Sequence, residues 1–206
     1  NFELFETMRC DLNKKIFLED LHLNRLKDSA KFHCFKFNDQ IVKSKIQDYL
    51  QNIEFESEKA IRLFLTKDGE IRLISSALKE MNDDKPHRIS LAIHPVNSED
   101  LSLYHKTTIR NVYEEAIGEN AECDDILLWN QDGNITESTI SNVIFKKDSE
   151  YYTPPVRCGL LAGTYREYLL NEGRLKEKVI HKSEINNFTE IFLINSVRGK
   201  YCVKLV

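Results

Sequence analysis

Long apolar runs, a basic surface and paired cysteines are all missing from this chain of 206 residues. No segment approaches the roughly 18 uninterrupted apolar residues of a membrane-spanning helix. The opening stretch NFELFETMRC has no basic start ahead of an apolar core, so it does not read as a signal peptide. The formal net charge is −4 and no run of lysine or arginine stands out, which argues against a nucleic-acid partner. The five cysteines (Cys10, Cys34, Cys123, Cys158 and Cys202) are odd in number, scattered, and never spaced C-x-x-C. That disfavours a disulfide framework or a zinc site; reduced thiols in the cytoplasm, and no metal, are expected. Internal repeats and low-complexity stretches are also lacking.

What is present reads as alternating element types. With 41% hydrophobic residues the chain can bury a sizeable core, as one large domain or two small ones. Phe2 to Arg9 and Lys15 to Leu18 read as paired strands around the turn DLNKK. Leu18, Leu21, Leu26, Ala30 and His33 recur at helical spacing, and Ile41, Val42, Ile46, Leu50 and Ile53 share the face of a second helix. AIRLFLTKDGEIRLISSA is a hairpin around Lys-Asp-Gly. RISLAIHPV predicts a strand ended by Pro95, and NSEDLS after it is the candidate linker. Downstream the pattern predicts a helix from about Thr108 to Gly118 and strands at Ile126–Asn130, Ile135–Glu137, Asn142–Lys146 and Tyr151–Thr153. A helix then opens at Gly163-Thr164, and EIFLINSV and YCVKLV close as strands. This order fits an α/β (α+β) chain of two lobes, residues 1–96 and 97–206, better than one doubly wound sheet. A chain that begins in a strand also suggests the later half of a longer polypeptide.

Three places carry chemistry. In NITESTISNVIF a carboxylate, Glu137, and several hydroxyls interrupt the apolar alternation expected of a hairpin. Either Glu137 is solvated on a loop or a cation faces it. In GLLAGTYREYLL, Gly159 and Gly163 precede a helix whose N-terminal amides could meet an anion. It is neither a P-loop nor G-x-G-x-x-G. In HLNRL, His22 and Arg25 lie on a helix of core-like spacing, and an arginine toward the buried side needs an anion or a carboxylate. Lys106 stands between an apolar strand end and an amphipathic helix, either as a solvated charge or, if partly buried, as a Schiff-base former.

Taken with LFETMR, HLNRLKDSA, HKTTIRNVYEEA, ITESTISNVIF, YYTPPVRCGLLAGTYR and FLINSVRG, in that order, these segments resemble the class IV, or fold type IV, pyridoxal-phosphate enzymes. That group holds the branched-chain and D-amino acid aminotransferases and 4-amino-4-deoxychorismate lyase. FETMR, TPPVRCGLLAGTYR and LINSVRG look more like the lyase branch. The resemblance implies two α/β lobes with pyridoxal 5'-phosphate between them. It implies that Lys106 links the cofactor covalently and that Glu137 faces the protonated pyridine nitrogen. Arg25, the amides of Thr164 and Tyr165, and Asn195 with Ser196 would cradle the phosphate, and Ser141 and Asn142 would line the cofactor. A tyrosine found in aminotransferases a few residues beyond the lysine is replaced here by Asn111, with Tyr113 close by, and no role carries over to it. Arg198 and Arg9 are candidates for substrate carboxylates by charge and position. The implied reaction eliminates pyruvate from 4-amino-4-deoxychorismate to give 4-aminobenzoate for folate synthesis. A class IV aminotransferase and a non-catalytic module are the alternatives. A homodimer, a small-molecule substrate and possible association with a chorismate-using synthase are expected.

Overall fold

The computed structural model describes residues 2–54, 56–78, 87–119 and 122–206. The chain divides into two compact units, one of Asn1–Met81 with His105–Ile109, the other of Asn82–Tyr104 with Arg110–Val206. Residue 97, the junction expected from sequence, lies within the second unit. The five residues His105–Ile109 belong to the first.

The first unit is a three-stranded antiparallel sheet with two helices. Strand β1 (Leu4–Cys10) pairs with β2 (Lys59–Leu65), which pairs with β3 (Ile71–Ala77); the helices α1 (Glu19–Phe32) and α2 (Asp39–Asn52) fall between β1 and β2 in sequence. Strand alternation turns Leu4, Met8 and Cys10 of β1 and Ile61, Leu63 and Leu65 of β2 into one apolar face. Leu23, Leu26 and Ala30 of α1 and Val42, Ile46 and Leu50 of α2 complete this core, as the helical spacing predicts. Asn38 caps α2 by accepting from the amides of Gln40 and Ile41, a feature worth about 1 kcal/mol. Between β2 and β3 the expected turn forms, with Gly69 at φ 90°, a backbone setting that favours glycine.

The expected strand from Lys15 to Leu18 is replaced by a tight turn. The Asp11 carboxylate accepts from the amides of both Asn13 and Lys15, each at 2.9 Å, and draws the chain back on itself. Only a single bridge, Cys10 to Ile16, remains, and Leu18 enters α1 at φ 56°. On the open side of β1 the segment His105–Ile109 is held by main-chain bonds. The Phe5 amide donates to the Lys106 carbonyl at 3.0 Å and the Thr108 amide to Glu3 at 2.9 Å.

The second unit is built on an eight-stranded mixed sheet. Its strands are β4 (His87–Leu91), β5 (Asp125–Trp129), β6 (Ile135–Ser138), β7 (Asn142–Lys147), β8 (Glu150–Thr153), β9 (Lys176–Glu177), β10 (Glu190–Asn195) and β11 (Gly199–Leu205). They lie in the order β6-β5-β4-β11-β10-β7-β8-β9. Strand β4 runs parallel to both of its neighbours, and β8 parallel to β9. Ile89, Leu127, Ile135, Val143, Phe145, Leu193 and Val203 form the core of one face. Helix α3 (Asn111–Glu119) packs Tyr113 and Ala116 on Ile126 and Leu128. Helix α4 (Thr164–Asn171) packs Leu169 on Ile144, Phe192 and Ile194. Helix α3 starts later than the pattern near Thr108 suggests. The Thr107 hydroxyl accepts from the Ile109 amide and Thr107 bridges Leu4, so this stretch is committed to the first unit's sheet. Likewise β4 ends at Leu91; the Ala92 amide still donates to the Leu127 carbonyl of β5, and the chain then bends before the Val96 amide meets the Trp129 carbonyl and Val96 bridges Asn130. Among the described residues no helix is long and apolar enough to cross a membrane.

Candidate cofactor-binding site

The polar stretch between the two apolar strands proves to be interior. Strand β6 is an edge strand, yet all four of its residues are buried, and at its start the Ile135 amide donates to the Ile180 carbonyl. Thr136, Ser138, Thr139 and Ser141 are each no more than 4% exposed, and Glu137 is 4% exposed, so the solvated-loop reading fails. The hydroxyls shape the turn. Ser138 Oγ donates to the Ser141 carbonyl and accepts from the Ser141 amide. The amide and the hydroxyl of Thr139 both donate to Asp125 Oδ1. This turn reverses the chain from β6 into β7 and fixes the strand on which Glu137 stands.

Glu137 collects donors from three directions. The Tyr113 hydroxyl donates to Oε1 at 2.9 Å and the Leu161 amide to the same oxygen at 3.2 Å. Asn142 Nδ2 reaches Oε2 at 3.3 Å and the Leu161 carbonyl at 2.9 Å. Burial first, and then the adjacent Glu137 charge, push the Tyr113 phenol far above its usual range, so it stays a donor. Asn142 also explains the glycine before α4. A Cβ on Gly163 would sit 1.9 Å from Asn142 Oδ1, so only a bare backbone can pass there. One chain of contacts therefore runs from Glu137 through Asn142 to the first turn of α4, where Thr164 is buried and Gly163 offers no capping side chain.

Within the first unit, the Lys106 ammonium lies 4.6 Å from the centroid of the Phe5 ring, which itself stacks on Phe64. Phe5 thus meets Lys106 twice, through its amide and through its ring face. Arg25 of α1 grips Glu6 of β1 side-on, with Nε to Oε1 at 2.8 Å and Nη2 to Oε2 at 2.6 Å. His22 Nδ1 approaches the same Oε2 at 2.7 Å. The anion that an inward-facing arginine requires is, in this fold, a carboxylate of the chain itself.

Residues 3–206 match the family described as amino-transferase class IV. The chain belongs to that family. A protein of Schizosaccharomyces pombe named "Putative aminodeoxychorismate lyase" is 32% identical over 208 residues, covering 97% of this chain and 87% of the relative. A crystal structure of a "Putative amino-acid aminotransferase" from Mesorhizobium loti superposes with TM-score 0.93 at 33% identity, covering 100% of each chain. One of a "Putative 4-amino-4-deoxychorismate lyase" from Legionella pneumophila gives TM-score 0.86 at 20% identity, covering 98% of this chain and 82% of the other. The architecture is that of the fold type IV enzymes, as the sequence motifs led one to expect. The family contains lyases and aminotransferases, and the chain's relatives include both.

The other candidate residues of this class IV chain are distributed as follows. Asn195, Ser141 and Tyr201 form one hydrogen-bonded group: Asn195 Nδ2 donates to Ser141 Oγ at 2.9 Å, and Ser141 Oγ lies 3.1 Å from the Tyr201 hydroxyl. Asn195 Oδ1 accepts from the amides of Val197 and Arg198, so its side chain builds the turn before β11. Ser196 is buried in that turn and the Arg198 side chain is exposed. In the first unit, the Arg9 guanidinium lies over the Phe17 ring, 4.9 Å from its centroid. Tyr165 stacks on Tyr168 along α4. Two participants escaped sequence reasoning. Tyr113 has the spacing of a core residue on α3, and nothing local marks its hydroxyl as a donor to Glu137. Glu6 was readable as a charge at a core position of the alternating strand LFETMRC. All five cysteines are free; burial pushes the Cys10 thiol up to about 11, which suits inert packing.

Proposed function

We propose that this chain is a pyridoxal-phosphate enzyme that eliminates pyruvate from 4-amino-4-deoxychorismate, leaving 4-aminobenzoate. The observation that carries the lyase reading is the near full-length similarity to the Schizosaccharomyces pombe protein, joined to the FETMR, TPPVRCGLLAGTYR and LINSVRG motifs. The residues present suit the cofactor. Glu137 is a buried carboxylate that accepts from Tyr113, Asn142 and the Leu161 amide, and a buried carboxylate is the partner a protonated pyridine nitrogen needs. The turn into α4 is kept free of side-chain bulk at Gly163, which suits a phosphate at the amides of Thr164 and Tyr165. Arg25 is a guanidinium held at two points by Glu6, and its charge suits a phosphate.

When bound, pyridoxal phosphate supplies an electron sink for a carbanion beside the substrate amine. Lys106 would link the cofactor while the enzyme rests and, once displaced by the substrate amine, would take the proton from the amine-bearing ring carbon. The enolpyruvyl ether then leaves from the neighbouring carbon, and Lys106 can return the proton, so one amine does both acid and base work. Glu137 would keep the proton on the ring nitrogen, and Tyr113, Asn142 and the Leu161 amide hold Glu137 in place. Aromatisation drives the elimination forward. Ser141, Asn195 and Ser196 would line the cofactor and its phosphate, and Arg198 and Arg9 would meet the two substrate carboxylates. The same reading expects a homodimer in the cytoplasm, supplied with substrate by a chorismate-using synthase.

Similarity to the Mesorhizobium loti protein favours a second reading, an aminotransferase on the same residues. Spectroscopy of the loaded protein separates the two. A lyase leaves the cofactor in its aldehyde form when an amino donor is added, whereas an aminotransferase converts it to the amine form.

A further inference from the structure

Glu6 is out of place by composition. It lies on the core face of β1 between Leu4 and Met8, and it is 1% exposed. A charge there is costly unless paired, and an apolar residue of similar size would often be as stable or better. Both of its partners come from one face of α1, three residues apart, so a single helix–strand contact assembles the group. Burial alone would raise the Glu6 carboxyl, but Arg25 and His22 outweigh it and hold it at about 2. Burial holds His22 below its usual range, with the Lys106 charge acting the same way, so the ring is neutral. A neutral ring facing an ionised carboxylate must donate from Nδ1, which leaves Nε2 as its acceptor.

We propose that Glu6 is a positioning residue for Arg25. Its carboxylate takes the Nε–H and an Nη2–H of the guanidinium and so fixes the plane in which Arg25 meets the cofactor phosphate, while fixing the tautomer of His22. The proposal rests on the reading of Arg25 as a phosphate-binding residue. An unclamped arginine is long and flexible, and ordering it on binding has an entropic cost that Glu6 removes beforehand. The rival possibility is that Glu6 merely competes with phosphate for Arg25, and it has the opposite consequence.

The test compares binding of pyridoxal phosphate and of pyridoxal, which lacks the phosphate, to the cofactor-free protein. Arg25→Ala should lower the preference for the phosphorylated form. Glu6→Gln, which keeps the shape and loses the charge, should weaken pyridoxal phosphate roughly tenfold, the range expected when a charged hydrogen bond is lost. Its affinity for pyridoxal should stay unchanged, and the double variant should be no worse than Arg25→Ala alone. Glu6→Asp, which keeps the charge but shortens the reach, should fall in the same direction and serves if Glu6→Gln does not fold. An unchanged or tightened affinity in Glu6→Gln overturns the proposal, as does an equal loss for both ligands, the mark of a purely structural role. If Arg25→Ala retains the full preference, the role of Arg25 itself fails and this inference falls with it. Lost preference in Arg25→Ala beside intact preference in Glu6→Gln refutes the role of Glu6 alone.

Discussion

Replacing Glu137 by glutamine separates charge from shape at the centre of the proposed chemistry. Oε1 accepts from both Tyr113 and the Leu161 amide, so the glutamine carbonyl would settle there and keep both bonds. Its NH2 group would then face Asn142 Nδ2, replacing a bond of 3.3 Å with two opposed donors. Asn142 cannot simply turn over, because its Nδ2 also holds the Leu161 carbonyl and its Oδ1 lies against Gly163. One weak charge-assisted bond lost in the interior costs about 1 kcal/mol, or roughly 2–4 °C of melting temperature for a chain of this size. The fold and cofactor binding should therefore survive. Turnover should not: without a carboxylate to keep the ring nitrogen protonated, kcat should drop at least about a hundredfold, equivalent to about 2.7 kcal/mol of barrier. Steady-state kinetics beside the absorbance of bound cofactor and a thermal melt give all three readings. Near-normal turnover would remove Glu137 from the chemistry, and loss of the fold would make its role structural.

Lys106→Ala should abolish turnover and also the pyridoxyl adduct that borohydride fixes to the protein; mass spectrometry that still finds a modified lysine peptide would reassign the linkage. Gly163→Ala sets a methyl group 1.9 Å from Asn142 Oδ1 and forces that side chain off Glu137 and Leu161. It should lower stability by about 1–3 kcal/mol and weaken cofactor binding, as read by melting and by titration with pyridoxal phosphate. Acid stability should also carry the mark of Glu6. Its carboxyl lies at about 2 in the folded chain against an ordinary 4.5, so its stabilisation is complete above 4.5 and disappears as the pH falls toward 2. His22, depressed below its ordinary 6.5, adds a loss of the same sign that begins as the pH falls below that value. Urea melts from pH 7 to 2 should show a shallower decline in Glu6→Gln than in the unsubstituted chain, and parallel curves would contradict the pairing.

Much of this arrangement was legible wherever it depends on local pattern. The hairpin at Lys67-Asp68-Gly69, the apolar faces of α1 and α2 and the start of α4 after Gly163 follow from turn chemistry and periodicity. Glu137 was conspicuous as a charge that breaks a strand pattern, and the requirement that Arg25 meet an anion was stated by its place on a core-facing helix. What stayed hidden depends on contacts distant in sequence. Nothing in HKTTI announces that residues 105–109 pair with β1, about a hundred residues earlier, and this pairing delays the start of α3. The Asp11 turn cancelled a strand because side-chain acceptors outweigh weak strand propensity over four residues. Tyr113 looked like core because its ring is core; only its hydroxyl, at the far end, meets Glu137.

The central claim is most directly tested by incubating the cofactor-loaded protein with 4-amino-4-deoxychorismate, with no keto acid present, and quantifying products by chromatography. The account predicts 4-aminobenzoate and pyruvate in equal amounts over many turnovers, with the cofactor still in its aldehyde form. Unchanged substrate, or a single turnover that leaves the cofactor as its amine, would contradict it.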